Sequence, residues 1–113
     1  MKNVLTSKSF VVIVSHKGPD GDSIGSSVAL SRYLRKLKIK NTIVFPDSFP
    51  SYYDWLLDGE DFVIASNNFH ELSDLFAQSD LICCLDFNHL NRCGDELANY
   101  IRNCNAEQLV IDH

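Results

Sequence analysis

Six ionisable residues, grouped in three short segments, have the types and the spacing needed to bind divalent metal ions. They are His16, Asp20, Asp22, Asp86, Asp112 and His113. Imidazole nitrogens and carboxylate oxygens, without the thiolate spacing of a zinc site, suit Mn²⁺ or Mg²⁺, with Zn²⁺ or Co²⁺ as alternatives. Two such ions, bridged by a carboxylate and a water, would generate a hydroxide nucleophile and bind a phosphoryl group.

Each segment taken alone also has an ordinary structural explanation. Asp22 and Ser23 could cap the helix that comes after them, and Pro19 to Gly21 is a common turn sequence. His113 could be a solvent-exposed terminal residue. All three segments come directly after predicted strands, however, and this coincidence favours a shared metal site over three unrelated turns.

The elements that must position these residues alternate between strand and helix patterns. Apolar runs predict strands at 10–14, 42–45, 81–85 and 109–111, with a weaker signal at 62–64. Helical spacing predicts helices at 23–38, with Ser23 as N-cap, and at 52–57, 69–76 and 94–103. This order predicts an α/β fold, an open, mostly parallel, doubly wound sheet with helices on both faces. The carboxyl ends of such strands form the ligand-binding edge.

Charge and hydropathy restrict the classes of partner. Eight of the ten Lys and Arg residues fall in the first 40 positions, and the net charge is −5. This balance argues against long nucleic acid but is compatible with a short anionic substrate. No apolar run approaches the roughly 20 residues of a membrane span, and the first residues lack a signal-peptide core. We therefore expect a cytoplasmic protein that does not bind membranes.

Two further sets of residues are expected to be structural. Cys83 and Cys84 are adjacent on a predicted strand and would point to opposite faces, which disfavours a shared metal or disulfide. With Cys93 and Cys104, they are predicted to be reduced, buried thiols. Tyr52, Tyr53 and Trp55 could stack a nucleobase. Their helical spacing among leucines favours core or interdomain packing instead.

Three stretches of this sequence resemble the motifs of the DHH phosphoesterase superfamily. Residues 15–26, SHKGPDGDSIGS, are similar to its first motif. Residues 84–88, CLDFN, with Arg92 and Gly94 after them, resemble the second. Residues 110–113, VIDH, resemble the approach to the Asp-His-His triplet that names the superfamily. The resemblance spans essentially the whole chain and implies a Rossmann-like domain.

The resemblance also implies roles for individual residues. His16, Asp20 and Asp86 would hold one metal, and Asp22, Asp86 and His113 the other, so that Asp86 bridges a pair of Mn²⁺ ions. The residues implied in catalysis are Asp86, Asp112 and His113. Those implied in substrate binding are Asn88, Arg92 and Ser26. Gly25 and Ser26 would let an anion approach the helix N-terminus, unless a small residue is needed there for tight packing.

Within the superfamily, the motifs look most like those of nanoRNases and pAp phosphatases. This implies hydrolysis of short oligoribonucleotides, or of adenosine 3′,5′-bisphosphate, by a two-metal-activated hydroxide. Residues 1–113 would be the N-terminal part of the catalytic domain. The rest of that domain and a C-terminal substrate-binding domain would lie outside this chain, which we expect to be inactive alone. A homodimer is compatible with the sequence.

Three other interpretations remain open at this point. The chain could belong to a manganese-dependent family II-type inorganic pyrophosphatase, although those enzymes usually lack the equivalents of Gly21 and of the Arg92–Gly94 pair. It could be a non-catalytic nucleotide-binding module. It could also be a flavodoxin-like domain whose acidic residues are coincidental, in which case Mn²⁺ would not stabilise it.

Overall fold

The strands form a single parallel sheet in the computed structural model, which describes residues 10–16, 21–65, 69–85, 95–104 and 106–111. The five strands are β1 Phe10–Val14, β2 Lys40–Phe45, β3 Phe62–Ile64, β4 Leu81–Leu85 and β5 Glu107–Ile111. Their order in the sheet is β3-β2-β1-β4-β5, and every described pairing is parallel. The predicted α/β class and open sheet are thereby confirmed.

Helices cover both faces of the sheet. They are α1 Gly21–Lys36, a 3-10 helix Ser51–Leu57, α2 Phe69–Gln78 and α3 Asp95–Arg102. Alternate residues of β1 explain the two layers: Val11 and Ile13 pack with α1 and the 3-10 helix, whereas Val12 and Val14 pack with α2 and α3. Because β1 is buried on both faces, its sequence is a continuous apolar run. In the described residues, no helix is long and apolar enough to cross a bilayer.

Helix α1 begins two residues earlier than its sequence suggests. It starts at Gly21, so that Ser23 lies inside the first turn with its side chain fully buried. The prediction that Ser23 is the N-cap was therefore wrong. Asp22 also enters the first turn, where the positive end of the helix dipole favours a carboxylate.

The C-terminus of α1 is closed by a Schellman motif, which ends the helix at Lys36 and not at Lys38 as predicted. The Ile39 N–H donates to the Leu34 carbonyl at 2.8 Å, and the Lys38 N–H donates to the Arg35 carbonyl at 2.9 Å. Leu34 and Ile39 are both buried in the same cluster, which supplies the apolar contact typical of this motif. Lys38 occupies the left-handed position, with φ of 63°.

Replacing Lys38 by glycine should stabilise the protein by about 0.5–1 kcal/mol. A left-handed conformation costs a residue with a Cβ roughly 1–2 kcal/mol, which exceeds the extra chain entropy that glycine loses on folding. Urea denaturation of Lys38→Gly would measure the gain. Ala29→Gly is the control, because it places glycine at an exposed position in the interior of the same helix and should cost about 1 kcal/mol. Equal destabilisation by both variants would contradict this account.

A buried carboxylate ties the end of the 3-10 helix segment to α1. The Glu60 side chain is 2% exposed and accepts hydrogen bonds from Arg35 Nη2 at 2.9 Å to both of its oxygens. Arg32 Nε adds a bond of 3.2 Å. Beneath this ion pair, the Ser31 hydroxyl donates to Asn41 Oδ1 at 2.6 Å. The turn after the 3-10 helix is thus fixed to both α1 and β2.

The cysteine prediction is confirmed for the strand residues and only partly for Cys104. Cys83 and Cys84 are reduced, buried and directed to opposite faces of the sheet. Burial raises the pKa of the Cys83 thiol to about 12, so that this thiol stays protonated and unreactive at neutral pH. Cys104 is half-buried, and its Sγ donates to the Phe76 carbonyl at 3.1 Å. Cys93 lies outside the described residues.

Candidate active site

The strands run parallel, but the side of the sheet to which the chain adds them changes between β1 and β4, in the middle of the sheet. From β1 the strands proceed outwards through β2 to β3, and from β4 they proceed the other way to β5. In open parallel sheets, ligands bind in the crevice at the carboxyl ends of the two strands that flank such a reversal. Here these are the ends of β1, at Val14, and of β4, at Leu85. We therefore expect the candidate site at the residues that follow Val14 and Leu85 in the chain.

His16 lies at this edge, just beyond β1. Ser15 before it is fully buried, and its N–H donates to the Val44 carbonyl at 3.1 Å, which continues the pairing with β2 past the end of β1. The Ser15 hydroxyl donates to the His16 carbonyl at 3.3 Å. These bonds hold the His16 backbone against the sheet while its side chain is half-buried. The predicted metal-binding imidazole is therefore at the correct edge.

The first turns of α1 bring Asp22 and Ser26 to the same edge, because α1 comes directly after β1 in the chain. Asp22 is exposed, and Ser26, four residues later on the same side of the helix, is half-buried. A Cβ built on Gly25 meets no atom of the described residues within 4 Å. Tight packing among these residues therefore does not require glycine at position 25, which leaves room for a ligand beside the helix.

Tyr53 covers the N-terminus of α1, a contact that the sequence did not predict. A Cβ built on Gly21 would lie 3.4 Å from both Cε1 and the hydroxyl of Tyr53. Tyr53 is half-buried, and its ring packs against the core cluster that contains Val11 and Ile13. This is ordinary van der Waals distance, so the contact brings an aromatic ring of the 3-10 helix to the first turn of α1 without requiring glycine at position 21. No local sequence pattern signals such a contact between residues 32 positions apart.

Core packing is confirmed for Tyr53 and was wrong for its two aromatic neighbours. Tyr52 is 68% exposed and Trp55 is 72% exposed, so neither belongs to the core of the described part of the chain. The two residues are three apart and share the outward face of the 3-10 helix, which has three residues per turn. Leu57 is buried, and Tyr53 and Leu56 pack against the core from the side. Interdomain packing of Tyr52 and Trp55 stays a prediction.

The remaining predicted site residues lie outside the part of the chain that the structure describes. They are Asp20, Asp86, Asn88, Arg92, Asp112 and His113. Within the described ranges, no group of three or more His, Cys, Asp or Glu residues is arranged to hold a metal ion. Of the predicted ligands, His16 and Asp22 are brought to one edge of the sheet. The complete metal site stays a prediction.

Comparison with known proteins adds a sequence family and a solved structure. The model of the DHH family, N-terminal domain, matches residues 10–113. The fold is similar to the crystal structure of an exopolyphosphatase-related protein from Bacteroides fragilis, with a TM-score of 0.92 and 32% sequence identity. That similarity covers 99% of this chain and 33% of the other, so that this chain spans about a third of that protein's length. No curated protein matches the sequence.

Proposed function

This chain belongs to the DHH family, and on that premise we propose that the protein is a metal-dependent phosphoesterase. Its proposed substrates are the phosphate esters of short oligoribonucleotides and of adenosine 3′,5′-bisphosphate. The family match covers the N-terminal domain of the DHH family, whereas the activity that we propose is that of the whole protein.

The strand register carries this proposal. Val14, Cys84 and Val110 are partners in one row across β1, β4 and β5. Two positions after each of them, the sequence has His16, Asp86 and Asp112. Three of the proposed site residues therefore come after a single row of the sheet at equal distances along the chain. A coincidental set of turn residues, as in the flavodoxin-like interpretation, has no reason to share this spacing.

The donors fit a pair of hard or borderline divalent cations. His16 offers an imidazole nitrogen at the carboxyl edge, and Asp22 offers an exposed carboxylate in the first turn of α1. We propose that His16, Asp20 and Asp86 hold one ion and that Asp22, Asp86 and His113 hold the second, with Mn²⁺ preferred. When bound, such ions polarise a phosphoryl oxygen and lower the pKa of water.

The chain's own groups would orient the substrate phosphate. The N-terminus of α1 lies at the carboxyl edge, where the helix dipole favours an anion. Ser26, half-buried beside the open space at Gly25, would donate a hydroxyl hydrogen bond to a phosphate oxygen. In this proposal, Asn88 and Arg92 contribute further donors, and Asp112 orients a ligand beside the metals.

Full-length protein with Mn²⁺ should convert adenosine 3′,5′-bisphosphate to AMP and a 5′-phosphorylated diribonucleotide to mononucleotides. Ion-exchange chromatography of the products would measure both reactions, with EDTA as the matched control. Because the mechanism needs the metals, EDTA should abolish both. Turnover of pyrophosphate with neither nucleotide cleaved would contradict the proposal.

Hydrolysis of phosphoanhydrides is a second candidate, since the solved relative is described as exopolyphosphatase-related. Pyrophosphate and tripolyphosphate therefore belong in the same substrate panel. A non-catalytic nucleotide-binding module would be stabilised by Mn²⁺ or nucleotide in a thermal melt without consuming any substrate. The melt and the chromatography together distinguish these functions.

A further inference from the structure

The outward face of the 3-10 helix exposes two large aromatic side chains. Tyr52 and Trp55 are 68% and 72% exposed, and their separation of three residues places them one above the other on a helix with three residues per turn. Single exposed hydrophobic residues are common on protein surfaces, whereas groups of them on one face mark interaction or ligand-binding sites. We call this pair the aromatic platform.

The aromatic platform is continuous with the candidate active site. The Tyr53 ring lies against Gly21 at the start of α1, and the centroid of the Tyr52 ring is 4.5 Å from that of Tyr53. A ligand whose phosphate lies at the α1 N-terminus would therefore meet Tyr53 first and the platform next. The Glu60 ion pair fixes the turn after the 3-10 helix to α1, so the platform is held in place relative to the site.

The charge around the aromatic platform indicates which part of a ligand it can bind. The sequence has no Lys or Arg from position 41 to position 91. The 3-10 helix carries an exposed carboxylate at Asp54, and Asp58 directly after it is also exposed. Arg32 and Arg35 of α1 reach the turn after this helix, but both pair with Glu60, so the helix itself presents a carboxylate and no cation. Its attraction must come from the faces of the rings, which suits an uncharged planar group.

We propose that Tyr52 and Trp55 bind the nucleobase of a nucleotide substrate by stacking. Stacking on an aromatic ring tolerates any base, because every base has a π face. This inference rests on the proposed function and narrows its substrate class. The preferred substrates carry a base, as short oligoribonucleotides and adenosine 3′,5′-bisphosphate do. Inorganic polyphosphate, which has no base, would be disfavoured. The platform thereby sets the substrate class without taking part in the chemistry.

Fluorescence tests the platform independently of turnover. Trp55 is the single tryptophan of these 113 residues, and the difference in emission between the protein and Trp55→Phe isolates its signal. Titration with AMP should quench this emission, because a stacked base contacts the indole, and equal concentrations of pyrophosphate should leave it unchanged. Absence of quenching by AMP would overturn the inference and indicate that another part of the protein covers these rings.

Kinetics provide the second test, with a diadenylate and its abasic analogue as matched substrates. Trp55→Ala should reduce the preference in kcat/KM for the diadenylate by about tenfold, since stacking of one base contributes on that order. Trp55→Phe should restore most of the preference. Tyr33→Ala, which removes an aromatic of 40% exposure from α1, is the control and should not change it.

The two proposals fail in distinguishable ways. Quenching by AMP without hydrolysis of any phosphate substrate would refute the phosphoesterase function and support the platform, as in a nucleotide-binding module. Hydrolysis with the same preference in Trp55→Ala as in the unmodified protein would refute the platform and leave the phosphoesterase function standing.

Discussion

Asp86→Asn is expected to lower kcat for adenosine 3′,5′-bisphosphate on the order of 10³-fold at saturating Mn²⁺. Asp86 comes directly after β4, one of the two strands at which the sheet order reverses. In the proposed site it bridges both metals, so an amide in its place would weaken the whole site and not one ligand of it. Loss of several kcal/mol of metal-derived transition-state stabilisation corresponds to a rate effect of this size.

The measurement has two readouts, product formation and the Mn²⁺-dependent rise in melting temperature. Both should be lost in Asp86→Asn, while the melting temperature without metal should not fall, because removing one acid relieves repulsion among the others. Asp74→Asn is the matched control, an exposed aspartate on α2. If Asp86→Asn retained a tenth or more of the activity, Asp86 would not bridge the metals.

Ser27→Leu is expected to cost about 3 kcal/mol of unfolding free energy, the upper end for inserting extra methylenes into a packed core. Ser27 is fully buried on the face of α1 that packs on the sheet, between Ile24 and Leu34 of the same cluster. Its hydroxyl donates to the Ser23 carbonyl at 2.8 Å. A leucine there would push α1 away from the sheet, and with it the first turn that carries Asp22.

Urea denaturation and phosphoesterase assays of the same Ser27→Leu preparation test this account. Ser27→Ala should stay within about 1 kcal/mol of the unmodified protein, because it loses one hydrogen bond without adding volume. Ala29→Leu adds comparable volume at an exposed position of the same helix and should change stability by no more than about 0.5 kcal/mol. Because leucine has a higher helix propensity than serine, propensity cannot explain a loss in Ser27→Leu, and a loss no larger than that of Ala29→Leu would contradict the packing account.

The sheet could be predicted because burial on both faces requires continuous apolar runs. Phe10 to Val14 and Leu81 to Leu85 have no polar residue, and all ten side chains are buried. The edge strand Phe62–Ile64 is short and only partly buried, so its signal in the sequence was weaker. Ser27 and Ser31, two small residues on the packing face of α1, are both buried.

Local deviations from regular helix geometry could not be predicted. The left-handed residue at the end of α1 is a lysine, whereas glycine or asparagine would have signalled it. The segment 51–57 is too short for its spacing to distinguish a 3-10 helix from an α-helix. Residues three apart share a face in either helix, so the spacing of Tyr52 and Trp55 places them on one face without deciding whether that face is towards the core or the solvent. The contact of Glu60 with Arg32 joins residues 28 positions apart, which no local pattern encodes.

The candidate site could be predicted as a set of residues but not as a geometry. His16 and Asp22 lie at the edge of the sheet that the alternation of strands and helices predicted. Asp86 and Asp112 are related to His16 only through their sequence positions, because each of the three comes two residues after the same row of the sheet. The identity of the ligand set comes from the motif resemblance and the family match. The contact of Tyr53 with Gly21 escaped prediction because it joins residues far apart in the sequence, which no local pattern encodes.

The central position of β1 has a consequence for the synthesis of the chain. Val11 pairs with Asn41 on one side, and on the other with Leu81, which is translated much later. At about 5–20 residues per second, the ribosome needs roughly 2–8 s to proceed from the end of β2 to the end of β4. During that interval one edge of an apolar strand has no partner in its own chain, and such an edge pairs readily with other chains. Chaperone binding would protect this nascent chain most while residues 46–85 emerge.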